Sequence, residues 1–305
     1  MKKILNYYCD EIDCNNETIA VGANKITLLN RFDGTVIHSF KGIKDITSLK
    51  IDEDYVYVKS TSGLYYMFSL ENYQIINKGQ CKEKLPSSHD GKFFVYEKGK
   101  VLDVLDFKDK CYYFIKYNFF TTKYQKLCVS ESDFYCRNWR VNYNQRKAYL
   151  LFSKKQIVKN PKIECYLSII DFDAMLVEKN ICFSISCDKR IMGLLSDTSI
   201  LLNDFSIYHI DTQEYDRLNF DSNFVDKTYG YFVTINYCSK TNKLLVVYSK
   251  KVLLFDLKSK EFISDYSAEY IDNAEYIDGK VYITTWKGLF VDDIEPKTDV
   301  KIAEQ

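Results

Sequence analysis

The stretch ITSLKIDEDYVYVKSTSGLYYMFSLEN (Ile46–Asn72) decides the predicted fold. Short runs rich in β-branched and aromatic residues are separated by Asp-rich and Gly-containing turns, which is typical of consecutive strands. We predict strands at Ile46–Ile51, Tyr55–Lys59 and Leu64–Phe68. The stretch therefore predicts three antiparallel strands joined by tight turns.

The same pattern returns along the whole chain. Seven predicted third strands end in an apolar residue followed by a closing Asp, Asn or Ser. The closing residues are Asn30, Ser69, Asp106, Asp171, Asp211, Asp256 and Asp292. Their mean spacing is about 44 residues, the period of a four-stranded propeller blade. The repeat predicts an all-β fold, a single seven-bladed β-propeller of four-stranded antiparallel blades.

We predict one domain over residues 1–305. Its blades are expected at about 4–40, 46–78, 83–117, 134–185, 190–220, 231–266 and 271–303. Either Lys3–Tyr7 or Asp299–Ala303 supplies the closing outer strand, and the sequence leaves both alternatives open. The closing Asp, Asn and Ser side chains are expected to accept hydrogen bonds from the next turn, a structural role.

Glycine recurs in the turns before the predicted third strands, where hairpins need a positive φ. The glycines concerned are Gly22, Gly63, Gly99 and Gly288.

Two stretches, Leu28–Phe40 and Leu253–Tyr266, resemble the repeat of quinoprotein-like (YVTN-type) propellers. The apolar–Asp end of the third strand resembles the Trp-Asp of WD repeats, with an aliphatic residue or Phe in place of Trp. The Gly-His signature of WD repeats is absent from the sequence. The resemblance, to the broad WD-repeat and quinoprotein-like superfamily, covers nearly the whole chain. It implies a propeller fold and no particular activity.

The repeat is interrupted twice near the middle of the chain, and we predict insertions at 118–133 and 153–164. Both are expected to rise from one face of the propeller. The window 116–163 contains eleven basic and two acidic residues, a charge of +9 in a chain whose formal net charge is zero. Long, charged loops of this kind are often functional. The alternative is a merely solvated surface.

This basic face is the predicted binding site. Its candidate residues are Lys123, Lys126, Arg137, Arg140, Lys154, Lys155, Lys159 and Lys162. Trp286, in a second-to-third-strand turn, is expected on the same face, where an exposed Trp would anchor a partner. The alternative for Trp286 is packing between blades, and Trp139 is expected in the core.

Chemistry-bearing groups are sparse. The three histidines fall in different predicted blades, and the ten cysteines form no C-x-x-C pair. We expect buried free thiols, no metal, no cofactor and no enzymatic activity. The N-terminal residues lack the apolar core of a secretory signal, so we expect a cytoplasmic protein that is a monomer on its own.

Three functions remain open. The leading hypothesis is a non-catalytic scaffold that presents its basic face to a protein partner. The first alternative is an enzyme or small-ligand-binding protein that uses a central channel. The second is nucleic-acid binding through the basic face, which the acidic remainder of the chain disfavours because it repels phosphate.

Overall fold

The computed structural model describes residues 1–43, 45–80, 92–106, 111–130, 133–154, 163–185, 190–218, 227–259 and 261–293. These residues form seven four-stranded antiparallel sheets, the blades of an all-β, seven-bladed propeller. The chain divides into two compact units, a larger one of residues 11–221 and a smaller one of residues 1–10 and 222–305. No helix in the described ranges is long and apolar enough to cross a membrane.

The larger unit contains five blades. Blade 1 consists of β2 (Glu11–Cys14), β3 (Thr18–Gly22), β4 (Ile26–Asn30) and β5 (Val36–Phe40). Blade 2 consists of β6 (Ile46–Ile51), β7 (Tyr55–Ser60), β8 (Leu64–Ser69) and β9 (Ile75–Gln80). Blade 3 consists of β10 (Phe94–Glu97), β11 (Lys100–Asp106), β12 (Tyr112–Asn118) and β13 (Lys123–Cys128). Blade 4 consists of β14 (Phe134–Asn142), β15 (Lys147–Lys154), β16 (Ile163–Asp171) and β17 (Leu176–Ile185). Blade 5 consists of β18 (Ile191–Ser196), β19 (Ser199–Leu202), β20 (Ser206–His209) and β21 (Tyr215–Arg217).

The smaller unit contains two blades, preceded by a single 3-10 turn at Lys227–Tyr229. Blade 6 consists of β22 (Phe232–Cys238), β23 (Lys243–Tyr248), β24 (Lys251–Asp256) and β25 (Glu261–Ser267). Blade 7 consists of β26 (Ile271–Ile277), β27 (Lys280–Thr285), β28 (Gly288–Asp293) and the N-terminal strand β1 (Lys2–Leu5).

Strand β1 supplies the outer strand of blade 7. It pairs antiparallel with β28, with Lys3 opposite Phe290 and Leu5 opposite Leu289. The other predicted segment, Asp299–Ala303, lies outside the described residues.

Central strands are buried on both faces because neighbouring blades cover them. In β7, Val56 and Val58 join the apolar cluster shared with blade 1, whereas Tyr57 joins the cluster shared with blade 3. Successive side chains of a strand point to opposite faces, so one strand supplies both clusters. The same arrangement explains the near-continuous apolar runs of the second and third strands.

The predicted closing residue has the expected structural role in blades 1, 2, 4 and 6, whereas Asp292 of blade 7 lies within β28 and pairs with the N-terminal ammonium at 3.2 Å. Asp171 Oδ1 accepts from the backbone N–H groups of Asp173 and Ala174, both at 2.8 Å. Asn30, Ser69 and Asp256 accept from the same two positions of their own turns. These side chains end their strands by satisfying N–H groups that the sheet leaves unpaired.

Blade 3 differs from the prediction by one strand. Asp106 ends the second strand, β11, and the residue that closes the third strand is Asn118, whose Oδ1 accepts from Phe120 and Thr121. The predicted insertion 118–133 is consequently wrong, because it contains the outer strand β13. A hairpin looks the same in sequence at any position in a blade, and only its pairing shows which position it takes.

Blade 5 also closes differently from the prediction. Strand β20 ends at His209, and Asp211 lies in the turn that follows. Gly63 (φ 72°), Gly99 (φ 69°) and Gly288 (φ 143°) adopt the positive φ expected of them, whereas Gly22 ends β3 and has no positive φ. Gly99 lies between the first and second strands of blade 3, because each strand of this blade comes one position earlier in the blade than predicted.

Each blade has two ends that matter for the site. We call the end that carries the second-to-third loop and the start of the first strand the loop end. The opposite end, which carries the first-to-second and third-to-fourth turns, is the turn end. In blade 2 the loop end includes Ser60–Leu64, and the turn end includes Asp52–Tyr55 and Ser69–Gln74.

Candidate protein-interaction surface

The predicted basic residues do not form one loop surface. Lys123 and Lys126 lie on β13, the outer strand of blade 3, with Lys123 opposite Asn118 at the turn end. The Lys126 ammonium lies 4.7 Å from the ring centre of Tyr113 on the neighbouring strand. Their expected position on an inserted loop at the loop end is therefore wrong.

The two arginines of β14 are largely engaged within the larger unit. Arg137 Nε donates to Ser153 Oγ at 2.5 Å. Arg140 Nε donates to the backbone oxygen of Met192 on blade 5 at 3.3 Å, and Arg140 Nη1 donates to the backbone oxygen of Trp139 at 2.7 Å. Both side chains are half-buried, so they hold strands together rather than project to a partner.

Acidic residues from outside the basic window neutralise part of its charge. Arg146 pairs with Asp173 and with Glu97, at 2.7 and 3.1 Å. Lys147 pairs with Glu178 at 2.8 Å. The net charge of residues 116–163 overestimated the positive electrostatic field of this region. The carboxylates that pair with Arg146 and Lys147 lie before and after these residues in the chain.

Lys154 ends β15 at the loop end of blade 4 and is exposed. Lys155, Lys159 and Lys162 lie outside the described residues, so the predicted insertion 153–164 is described only at its two edges. Among the predicted basic residues, Lys154 alone is described as exposed at the loop end.

Trp286 lies in the second-to-third turn of blade 7 and is 61% exposed. Its indole stacks on the ring of Tyr270, with ring centres 5.3 Å apart and planes 12° from parallel. Tyr270, which directly precedes β26, is itself 52% exposed. The backbone N–H of Trp286 donates to the Tyr270 oxygen at 3.3 Å, which fixes the two loops side by side.

A carboxyl group beneath the stacked rings orients the indole. Trp286 Nε1 donates to Asp272 Oδ1 at 3.1 Å, while Asp272 Oδ2 is buried with no hydrogen-bond partner in the described part of the chain. Burial, reinforced by the nearby charge of Asp10, raises the pKa of Asp272 to about 6, and the indole hydrogen bond opposes this rise.

Two charged side chains, Lys287 and Glu269, lie beside the stacked rings. The Lys287 ammonium donates to Glu269 Oε2 and lies 5.7 Å from the Tyr270 ring centre. These charged groups are exposed, so their ion pair adds little stability.

A third exposed ring lies on a loop that backbone hydrogen bonds connect to the stack through Ser249. Tyr231, which precedes the first strand of blade 6, is 67% exposed. Backbone hydrogen bonds connect its loop to the stack, because Ser249 N donates to Tyr231 O and Ile271 N donates to Ser249 O. We call Tyr231, Tyr270 and Trp286 the aromatic surface. Tyr231 and Tyr270 were missed in sequence, although each occupies the same place just before a first strand.

Other chemistry-bearing residues are structural. Trp139 is fully buried, as predicted, with its ring centre 4.6 Å from that of Phe94. His38 stacks on Tyr73, His209 Nδ1 lies 3.0 Å from Ser199 Oγ, and His89 is outside the described residues. No group of three potential metal ligands occurs among the described residues. Cys128 and Cys182 are exposed free thiols, in contrast to the expected burial.

Comparisons with known proteins identify the fold and no family. No family model and no curated protein matches the chain. The hydrazine synthase of Kuenenia stuttgartiensis is similar in structure, with a TM-score of 0.71 at 9% identity over 95% of this chain and 97% of that chain. The computationally designed protein Ika8 has a TM-score of 0.63 at 8% identity over 96% of this chain and 100% of that chain. Because 1265 chains of solved structures match, the likeness defines a propeller and not an activity.

Proposed function

We propose that the chain is a non-catalytic protein-interaction scaffold whose contact region is the aromatic surface. The observation that carries the proposal is the stacked, exposed pair Trp286–Tyr270 on two hydrogen-bonded loops. Trp and Tyr are enriched among the residues that dominate binding energy in interfaces. Side chains already held in place lose little conformational entropy when a partner binds.

The position of the contact region differs from the basic face expected from sequence. Arg137, Arg140 and Arg146 are engaged by groups of the larger unit, and Lys123 lies at the turn end of its blade. We therefore assign the main role in affinity to the aromatic surface.

The test is affinity capture from native cell extract with Trp286→Ala/Tyr270→Ala beside the wild-type protein. Truncating a central aromatic residue of an interface typically costs about 2 kcal/mol or more, so recovery of the specific partner is expected to fall at least about tenfold. Tyr215→Ala, an exposed tyrosine on the outer strand of blade 5, is the matched control. Equal recovery in all three samples contradicts the proposal.

A nuclease-treated sample separates protein from nucleic-acid partners. A partner recovered only without nuclease would favour the nucleic-acid alternative. Lys123→Gln/Lys126→Gln/Lys154→Gln is expected to change recovery by less than about threefold, because exposed charges contribute little each. A complete loss in this variant would return the main role to the predicted basic residues.

We also propose that the chain is a distant member of the WD-repeat and quinoprotein-like superfamily. The support is the closing Asp, Asn or Ser after an apolar residue at the end of the third strand, seen at Asn30, Ser69 and Asp256. Sequences of nearer relatives provide the test. Trp before the closing Asp in those relatives would support the proposal, whereas the paired glycines of kelch blades would contradict it.

A further inference from the structure

A cleft of about 380 Å³ lies between blades 1 and 2 at their turn ends, within the larger unit. Four carboxylates surround it, from Glu17 on blade 1 and from Glu53, Asp54 and Glu71 on blade 2. None of the described residues that line the cleft is basic. Its volume falls in the range of about 300–1,000 Å³ that is usual for ligand sites.

The carboxylates are only partly compensated within the described part of the chain. Asp54 pairs with the exposed Lys98 at 2.8 Å, and Glu53 accepts a hydrogen bond from Asn16 Nδ2 at 2.7 Å. Glu17 and Glu71 have no ion-pair partner among the described residues and are exposed. Arg31 also lies beside the cleft and donates from Nη1 to the backbone oxygen of Asn15. Four carboxylates therefore face two neighbouring cations, Lys98 and Arg31, and the cleft favours a cationic ligand.

A few apolar side chains lie among these charges in a lining that is mostly polar. Ile37, from the outer strand of blade 1, is 41% exposed, and Leu70 faces the cleft from the turn of blade 2. Lys and Arg side chains combine an apolar stem with a charged end, so they suit a carboxylate-lined site that holds a few apolar side chains.

The rim is held in place by contacts between the two blades. Asn15 Nδ2 donates to the backbone oxygen of Asp52 at 2.8 Å, and the Asn16–Glu53 hydrogen bond connects the same two turns. A site fixed before binding loses less entropy than a mobile one when it takes up a ligand.

We propose that this cleft binds an extended peptide segment of a partner protein that carries Lys or Arg next to an apolar residue. The argument is charge complementarity, with Ile37 and Leu70 as the apolar contacts, and it is independent of the aromatic surface, which lies in the smaller unit. The cationic end pairs with Glu17, Glu53 and Glu71, and the apolar residue packs on Ile37.

The test measures the fluorescence anisotropy of a labelled synthetic peptide of alternating lysine and leucine. Glu17→Gln/Glu53→Gln/Glu71→Gln is expected to weaken its binding about tenfold, because each exposed ion pair contributes up to about a factor of five. Ile37→Ser is expected to weaken binding about threefold without changing its salt dependence. The corresponding peptide of glutamate and leucine is expected not to bind.

The matched control, Asp211→Asn/Glu214→Gln/Asp216→Asn, changes the net charge equally at exposed positions of blade 5. Its affinity is expected to remain within about twofold of wild type. An equal loss in the control, or unchanged affinity in the cleft variant at an unchanged melting temperature, overturns the proposal. Spermidine that displaces the peptide at equal concentration would also overturn it, because the occupant would then be a small polycation.

Discussion

The ammonium Nζ of Lys59 lies 2.5 Å from Oδ2 of Asp103, and the two side chains are 2% and 0% exposed. Lys59 belongs to β7 of blade 2 and Asp103 to β11 of blade 3, so the pair joins two consecutive blades. The Tyr65 hydroxyl donates to the same carboxylate, and Val104 N donates to Asp103 Oδ1 at 2.7 Å. Burial raises the pKa of Asp103, and Lys59 opposes that rise.

Removing one partner of this pair is expected to be strongly destabilising. Asp103→Leu leaves the Lys59 ammonium buried without its counter-charge, which typically costs about 3–5 kcal/mol. We expect a decrease of that size in the free energy of unfolding, measured by urea denaturation.

The control is the double variant Lys59→Met/Asp103→Leu. It replaces both charges by apolar groups of similar size and is expected to recover most of the stability. A double variant as unstable as Asp103→Leu would show that the loss comes from packing rather than from the isolated charge.

The exposed network around Arg146 is expected to contribute less and to depend on salt. Arg146 donates to both carboxylate oxygens of Asp173, each at 2.7 Å. Arg146→Lys loses this two-point geometry, and we expect a decrease in unfolding free energy of about 0.5–1 kcal/mol at low ionic strength. Denaturation in about 1 M salt should abolish the decrease, because exposed charges are screened.

The pH dependence of this network has a definite sign. The hydrogen bond from Arg146 lowers the pKa of Asp173. A carboxyl group with a lowered folded-state pKa adds stability above its unfolded pKa of about 3.9, and that stability is lost as the pH falls through the folded value. The decrease caused by Arg146→Lys should therefore disappear in acid; a decrease that persists would indicate a packing effect on Phe172.

Gly79 is expected to tolerate no side chain. A Cβ atom at this position would lie 1.8 Å from the Tyr117 hydroxyl oxygen and 2.8 Å from Tyr117 Cζ. Gly79→Ala therefore forces blades 2 and 3 apart, and overpacking of this kind typically costs about 1–3 kcal/mol. Thermal melting measures the loss. Adding Tyr117→Phe removes the nearest atom but keeps Cζ at 2.8 Å, so partial recovery is expected. A double variant less stable than Gly79→Ala would contradict this contact as the cause.

Asp272 is expected to make stability decrease as the pH rises. Its folded-state pKa is raised to about 6, so the folded protein binds this proton more tightly than the unfolded chain does. The stabilisation from protonation is complete below the unfolded pKa of about 3.9 and is lost as the pH rises to about 6. Because the side chain is only partly buried, we expect Asp272→Asn to be more stable at pH 7 by only about 1 kcal/mol.

The indole N–H of Trp286 reports this titration directly. Its NMR resonance should shift with an apparent pKa of about 6 in the wild-type protein and not in Asp272→Asn, which keeps an acceptor for the indole. Asp10→Asn should lower the apparent pKa by removing a like charge. A resonance that does not move between pH 4 and 8 would contradict the raised pKa.

Much of the fold could be predicted because its signals are local. Turn residues such as Gly63 and closing residues such as Asn30 and Ser69 act within a few positions of themselves. The shift of blade 3 could not be seen, because Asp106 and Asn118 are both suitable strand ends and only pairing distinguishes them.

Less of the candidate site could be predicted from the sequence. Trp286 was recognised, but its stacking partner Tyr270 lies sixteen positions earlier in the chain. The positive charge of residues 116–163 was overestimated for a related reason, because Glu97 and Glu178, which pair with Arg146 and Lys147, lie outside this part of the sequence.

The sequence by itself determined the strand period, the turns and the seven-bladed class, because alternation and turn chemistry operate over a few residues. Only the tertiary structure decided that β1 completes blade 7, that Lys59 meets Asp103, and that Ser249 connects the loop of Tyr231 to the start of β26. Each of these relationships joins segments far apart in the chain. Their free energy comes from desolvation and packing between strands, which no local pattern records.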